Sequence, residues 1–315
     1  MDMAATASPF AVTDAPPLDP DKFADPLLTA KGEKRASVAL ERLDTLWINT
    51  GTLCNLACRS CYIFSSPTND RLVYLTLAEA ESYFAEAAAL GTRVIGFTGG
   101  EPFMNPDMIE MMRSALDRGF DLLVLTNAMR PMRRFETELA AIGAEHGDRV
   151  VMRVSLDHHD EHLHEAERGP GTWAKALDGL KWLAAAGFRV AVAGRRLDGD
   201  ADVRAGYDRL LDGLAVAADH LVLFPTMDAS ADVPEISESC WDIVRVSPSA
   251  MMCATSRMVV KEKGADRPHV VACTLLPHDD RFAMGETLAE ASRPVPLNHP
   301  HCARFCVLGG ASCSG

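Results

Sequence analysis

Residues Thr45–Pro67 read TLWINTGTLCNLACRSCYIFSSP, an apolar run opening into a loop that carries Cys54, Cys58 and Cys61. The three thiols lie within eight residues at a CxxxCxxC spacing, and the next cysteine is Cys240. A closed structural zinc site takes four ligands, commonly as two close pairs. A triplet without a fourth thiol nearby suits a [4Fe–4S] cluster held at three irons, its fourth iron open to a ligand. A zinc site completed by a distant Cys or His, or unreacting buried thiols, are the alternatives at this spacing.

Outward from this loop, strand-like and helical runs alternate. TLWINT precedes LTLAEAESYFAEAAALG, a helix with a Thr76–Glu79 capping box and Gly91 as its stop. RVIGFTG is the second strand; NPDMIEMMRSALDRG follows as a helix, with Asn105 at the N-cap, Pro106 at the first helical position and Gly119 at the end. DLLVLTN, RVVMRVSLD, FRVAVAG and DHLVLFPT continue the strands, and PMRRFETELAAIGAEHG, GTWAKALDGLKWLAAAG and ADVRAGYDRLLDGLAVAA read as helices between them. Six strands alternating with helices through short connections predict an α/β chain with a parallel sheet. Residues 1–43, rich in Pro, Asp and Ala, read as a partly extended lead-in, residues 44–229 as the sheet unit, and residues 230–315, which hold all six remaining cysteines, as a second module.

The bulk numbers exclude some classes. A net charge of −13 argues against a nucleic-acid groove, which needs clustered Lys and Arg. No apolar run approaches a membrane span, and the N-terminus lacks the basic and apolar regions of a secretory signal. The expected location is the cytoplasm, where nine reduced cysteines point to metal binding or catalysis rather than disulfides.

The triplet Cys54, Cys58 and Cys61, the GGEP segment Gly99–Pro102 and the strand–helix rhythm together resemble the radical S-adenosylmethionine (radical SAM) superfamily over about residues 45–226. The resemblance implies a partial (β/α)6 TIM-type barrel with a small C-terminal cysteine-rich iron–sulfur module. It also implies a [4Fe–4S] cluster whose open iron chelates S-adenosyl-L-methionine, so that one electron from a flavodoxin- or ferredoxin-type donor yields a 5′-deoxyadenosyl radical that abstracts substrate hydrogen. By the same resemblance Gly99, Gly100 and Glu101 meet the methionine amino group. Strand ends supply Asn127 and Ser155; Ser155 and Arg168 meet the ribose or carboxylate, and Gly194 lies beneath the adenine. Asp157 faces the substrate. The family usually places an aromatic just before the third cysteine; here that position is Ser60, and Tyr62 follows Cys61 instead. The run HHDEHLH (158–164) reads as solvated loop histidines rather than metal ligands.

In the second module, MMCATSRMVVKEKGADRPHVVAC reads as a hairpin between Cys253 and Cys273, and the tail adds Cys302, Cys306 and Cys313. Four of these thiolates suffice for a second [4Fe–4S] cluster, with a zinc knuckle as the alternative. The arrangement resembles the auxiliary modules called Twitch and SPASM; a full SPASM module needs more cysteines than remain. Cys240 stands alone, as a buried thiol, a ligand or a hydrogen-atom donor. The substrate expected is a small metabolite, oxidised or rearranged, because residues 1–43 are short for a peptide-binding domain; a ribosomally made peptide or protein is the alternative. A non-catalytic metal-binding or redox-sensing protein is the second alternative, and it leaves GGEP and the open triplet unexplained.

Overall fold

The computed structural model describes residues 8–12, 15–197, 200–226 and 228–310. Along the chain run β1 (Ser37–Val38), β2 (Thr45–Asn49), α1 (Leu77–Ala89), β3 (Val94–Thr98), α2 (Met108–Asp117), β4 (Asp121–Thr126), α3 (Arg130–Arg133) and α4 (Glu136–His146). Then come β5 (Val150–Ser155), α5 (Glu161–Arg168), α6 (Trp173–Ala185), β6 (Arg189–Arg195), α7 (Val203–Leu214), β7 (His220–Phe224) and α8 (Cys240–Val244). The C-terminal part adds β8 (Ser256–Val260), β9 (His269–Val271), β10 (Ala283–Gly285) and β11 (Val295–Pro296).

Strands β2 to β7 pair in sequence order, all parallel, as the alternation predicts. Helices cover the outer face, so β2 is buried along its whole length and β5 almost so. Such strands read as near-continuous apolar runs, which is why TLWIN and DLLVLT were recognisable. The result is a partial α/β barrel. Its sheet also holds a seventh parallel strand that the rhythm did not announce. β8, from the C-terminal part, pairs with β2 from Thr45↔Ser256 to Ile48↔Val259. The expected hairpin is present, with β8 and β9 antiparallel and β10 extending it to a nine-stranded sheet. Among the described residues no helix is long and apolar enough to cross a membrane.

Three local readings are corrected. The second helix starts at Met108 with Asp107 at its N-cap, two residues past the expected start. Asn105 is fully buried; its amide donates to the Leu75 carbonyl and its Oδ1 accepts from the Asp107 N–H, so it holds a turn ahead of the helix. PMRRFETELAAIGAEHG is broken into α3 and α4, with Phe135 packed on Phe103 at the joint. HHDEHLH is no solvated loop. Its second half lies in α5; His164 is fully buried against Trp173, and His158 is buried with its Nε2 3.3 Å from Asp200.

Described residues of the N-terminal stretch, between 15 and 38, strap the molecule together. β1 pairs with β11, Pro17 bridges Ala231, and the Arg35 guanidinium bonds Glu235 at 2.5 Å with both side chains nearly inaccessible. Phe23, Val38, Val233, Ile236 and Leu297 form a second small core there.

Candidate active site

The C-terminal ends of the parallel strands face one another across a cavity of about 120 Å³. Cys54, Cys58 and Cys61 line it from the loop after β2, with Tyr62 beside them. Gly99 and Gly100 line it after β3, Asn127 after β4, Ser155 at the end of β5 and Arg168 at the end of α5. The expected site residues thus come together, apart from Glu101, Asp157, Gly194 and the C-terminal cysteines. Burial pushes the Cys54 thiol up to about 12 and raises Cys58 as well. Thiols of this kind stay protonated and inert unless a metal displaces the proton.

The two glycines let the cysteine loop lie against β3. A methyl at Gly100 would sit 2.2 Å from the Leu53 carbonyl oxygen, and the Gly100 and Glu101 N–H groups donate to the Gly51 and Leu53 carbonyls. Those N–H groups therefore hold the loop rather than face the cavity. Glu101 also turns inward. Its carboxylate accepts from Thr126 Oγ1 and the Asn127 N–H, each at 2.8 Å, and from the Phe103 N–H at 3.3 Å. It ties the end of β3 to the end of β4, and burial raises its carboxyl to about 7 despite those donors. Asn127 in turn donates to Asn55 Oδ1 in the cysteine loop at 2.9 Å.

Asp157 organises the opposite wall. One oxygen accepts from Arg168 Nε at 2.5 Å and the other from Arg195 Nε at 2.9 Å. Burial favours its neutral form, but the Arg168 and Arg195 charges outweigh that and hold the carboxyl at about 2. Asp157 is thus an ionised anchor. Arg195 also donates to Ser60 Oγ, and Glu167 accepts from the Ser60 N–H at 2.7 Å and its hydroxyl at 2.8 Å. Ser60 stands where the family carries an aromatic; here it clamps the cysteine loop to α5 and β6. The N-terminal segment closes this network: Ser8 Oγ donates to Glu167 at 2.5 Å, and the buried Phe10 ring lies 5.4 Å from the Arg195 guanidinium.

Sequence reading missed Arg195, Glu167 and the clamp at Ser60. Arg195 ends VAVAGR and Glu167 precedes Arg168, so strand-end and helix-end positions were the available signals. Gly194 was misread. On β6, Ala193 and Arg195 face the interior and Gly194 faces the helices, where an added methyl would lie 2.1 Å from the Tyr207 hydroxyl. Its bareness makes room for Tyr207, which donates to the Leu156 carbonyl at 2.6 Å, rather than for a ligand.

A second cavity, about 100 Å³, shares Tyr62, Leu125, Ser155, Arg168 and Arg195 with the first. Its far wall carries Leu275 and Phe305, neighbours in sequence of Cys273 and Cys306. Near that wall Cys253, Cys273, Cys302 and Cys306 line a small apolar hollow of about 20 Å³. Cys302 and Cys306 sit four residues apart on a π-helical turn, a spacing that sets both thiols on one side. Burial pushes Cys253 up to about 11 and Cys302 up to about 12. Cys240 lines neither this hollow nor the barrel cavities; it starts α8, and its sulfur accepts from the Ser237 N–H at 3.4 Å. Cys313 lies outside the described residues.

The three thiols of the loop after β2 line one cavity and four C-terminal thiols line another. Among the described residues no three His, Cys, Asp or Glu side chains converge to hold one metal ion. A mononuclear zinc site needs its thiolates about 2.3 Å from a common point, whereas a cubane takes each on a different iron.

Residues 48–197 match the radical SAM superfamily model. The AdoMet-dependent heme synthase of Methanosarcina barkeri is 30% identical over 136 residues, 43% of this chain and 37% of that protein. The GTP 3′,8-cyclase of Paracoccus denitrificans is 31% identical over 142 residues, 44% of this chain and 40% of that one. Mycofactocin maturase MftC of Mycobacterium ulcerans is 30% identical over 135 residues, 43% and 35% of the two chains. The chain therefore spans well under half the length of these curated relatives. Among solved structures, Streptococcus suis SuiB bound to S-adenosylmethionine superposes with a TM-score of 0.59 at 12% identity, over 78% of this chain and 63% of that one. Native anSMEcpe with bound AdoMet gives 0.58 at 14%, over 78% and 79%. At these identities the likeness is one of fold.

Proposed function

Starting from a chain that carries a radical SAM domain at residues 48–197, we propose an enzyme that cleaves S-adenosyl-L-methionine reductively and oxidises or rearranges a small metabolite. The observation that carries this reading is the placement of two adjoining cavities between two separate thiol sets, three lining the first cavity and four near the far wall of the second. Cys54, Cys58 and Cys61 would hold a [4Fe–4S] cluster with a vacancy; Cys253, Cys273, Cys302 and Cys306 would hold a fully ligated second one. When bound, the first cluster and S-adenosylmethionine supply a 5′-deoxyadenosyl radical that takes hydrogen from a substrate C–H bond, with a flavodoxin- or ferredoxin-type protein as electron source.

The chain's own residues bind, orient and exclude water. Ser155 and Arg168 offer a hydroxyl and a guanidinium to a carboxylate in the first cavity. Glu101 and Asn127 fix the cysteine loop against the strand ends, and Tyr62 and Leu125 separate the two cavities with apolar surface. A second reading, modification of a peptide side chain, is favoured by the fold likeness to SuiB, also solved bound to precursor peptide SuiA, and to anSMEcpe, also solved with a Cp18Cys peptide.

Anaerobically reconstituted protein given dithionite and S-adenosylmethionine should release 5′-deoxyadenosine, and Cys54→Ala should abolish it. Chromatography that finds none from the parent protein ends the catalytic reading. Cys253→Ala should lose roughly half the iron while keeping the triplet's share; full iron in that variant removes the second cluster.

A further inference from the structure

Ser65 lines the first cavity beside the three thiols and is only 6% exposed. Its Oγ is buried and makes no hydrogen bond among the described residues, and no other residue lining that cavity has such an atom. A hydroxyl can donate one hydrogen bond and accept two, and leaving it unmet in the interior costs about 1–3 kcal/mol. A buried polar group of this kind calls for an ion, a redox role or stored strain to account for it. The backbone around Ser65 already serves a sulfur. Its N–H donates to Cys61 Sγ at 3.3 Å, as the Leu56 N–H does to Cys54 Sγ at 3.4 Å. Phe64, just before it, takes φ +54°, a left-handed conformation that bulky side chains rarely adopt. The Phe64 N–H donates to the Cys61 carbonyl at 2.9 Å, and Asn69 Nδ2 donates to the Phe64 carbonyl at 2.7 Å. The strained residue is thus tied on both sides, and the turn it makes brings the Ser65 N–H back onto Cys61. Its ring is 67% exposed, so core packing does not account for the strain.

We propose that Ser65 is a redox-tuning residue of the triplet's cluster, its N–H donating to the Cys61 thiolate and its hydroxyl to a cluster sulfide. No cysteine sulfur accepts from the hydroxyl, so the sulfur it serves is one that the cluster brings. Ser65 belongs to the cysteine loop, four residues past Cys61, whereas the groups offered to a ligand carboxylate come from β5 and α5. Reduction adds negative charge to the cluster sulfurs, and hydrogen bonds donated to them favour that state and raise the potential. This inference rests on the catalytic reading above.

The test is a potentiometric titration of anaerobically reconstituted holoprotein. The triplet's cluster is followed by the part of the electron paramagnetic resonance signal that changes when S-adenosylmethionine is added. Ser65→Ala keeps the N–H and loses the hydroxyl. At the parent's midpoint its reduced-to-oxidised ratio should fall about tenfold, a shift of about 59 mV to lower potential for one electron. Ser65→Thr, which keeps a hydroxyl, should recover most of that shift. A parent-like midpoint in Ser65→Ala, a Ser65→Thr midpoint as low as that of Ser65→Ala, or loss of the triplet's iron from Ser65→Ala in place of a shift would each overturn the inference. An unchanged midpoint with weaker S-adenosylmethionine binding in Ser65→Ala would overturn it too, by giving the hydroxyl to that ligand. The parent sample separates the two readings. A signal sensitive to S-adenosylmethionine that Ser65→Ala leaves unshifted sinks the tuning role alone, and a parent without that signal sinks the catalytic reading itself.

Discussion

Asp157 and Glu101 are both buried carboxyls at strand ends, and they respond to pH in opposite ways. Asp157 falls from 3.8 to about 2 on folding because the two arginine charges outweigh burial. Its stabilisation is complete above about pH 4 and disappears as pH drops toward 2. Glu101 rises from 4.5 to about 7, burial being the larger effect. The folded chain holds that proton longer, so Glu101 subtracts stability as pH climbs from about 4.5 to 7. Urea midpoints measured across this range should show Asp157→Asn flattening the acid limb and Glu101→Gln flattening the neutral one. An unchanged acid limb in Asp157→Asn would contradict the ion-pair account. The cysteine spacing was legible because three ligands of one short loop are a local pattern. The pairing of Asp157 with Arg195 was not, since a strand-end arginine looks the same whether it meets solvent or a carboxylate 38 residues away.

Helix α5 shows how one element both braces the cysteine loop and reaches the cavity from its last turn. Its N-cap Asp160 accepts from the Leu163 N–H at 3.0 Å, and its last turn delivers Glu167 to the cysteine loop and Arg168 to the cavity. Glu167→Ala removes acceptors from the Ser60 N–H and hydroxyl and from Ser8, half-buried donors whose lost bonds cost about 0.5–1.5 kcal/mol each. Hydrogen exchange should accelerate at residues 54–64 and iron retention should fall, with the β8–β9 hairpin unaffected. Exchange rates there equal to the parent's would reduce Glu167 to a bystander. The element was hidden in sequence because four histidines and several acids read as solvated, and only packing against Trp173 reveals a buried side. Where apolar periodicity was strong, as in α1 with its Thr76–Glu79 box, the reading needed no correction.

At the scale of the molecule, the N-terminal strap joins the barrel to the C-terminal core through Arg35 and Glu235. Removing one partner of a buried pair costs about 3–5 kcal/mol, so Glu235→Ala should lower the thermal midpoint of the whole chain and open residues 23–38 to protease. A single unchanged midpoint with an intact strap would show the pair to be dispensable. Sequence alone suggested a lead-in there, because the bonds that Arg35 and Phe23 make to Glu235 reach some 200 positions along the chain. The same long reach applies to β8. Its edge-to-edge bonding with β2 places the start of the cysteine loop and the strand after Cys253 side by side in one ladder. Cutting the gene near residue 230 would bare two complementary strand edges at once, each a template for indiscriminate association. Co-expressed halves should reassemble, while either half made singly should precipitate.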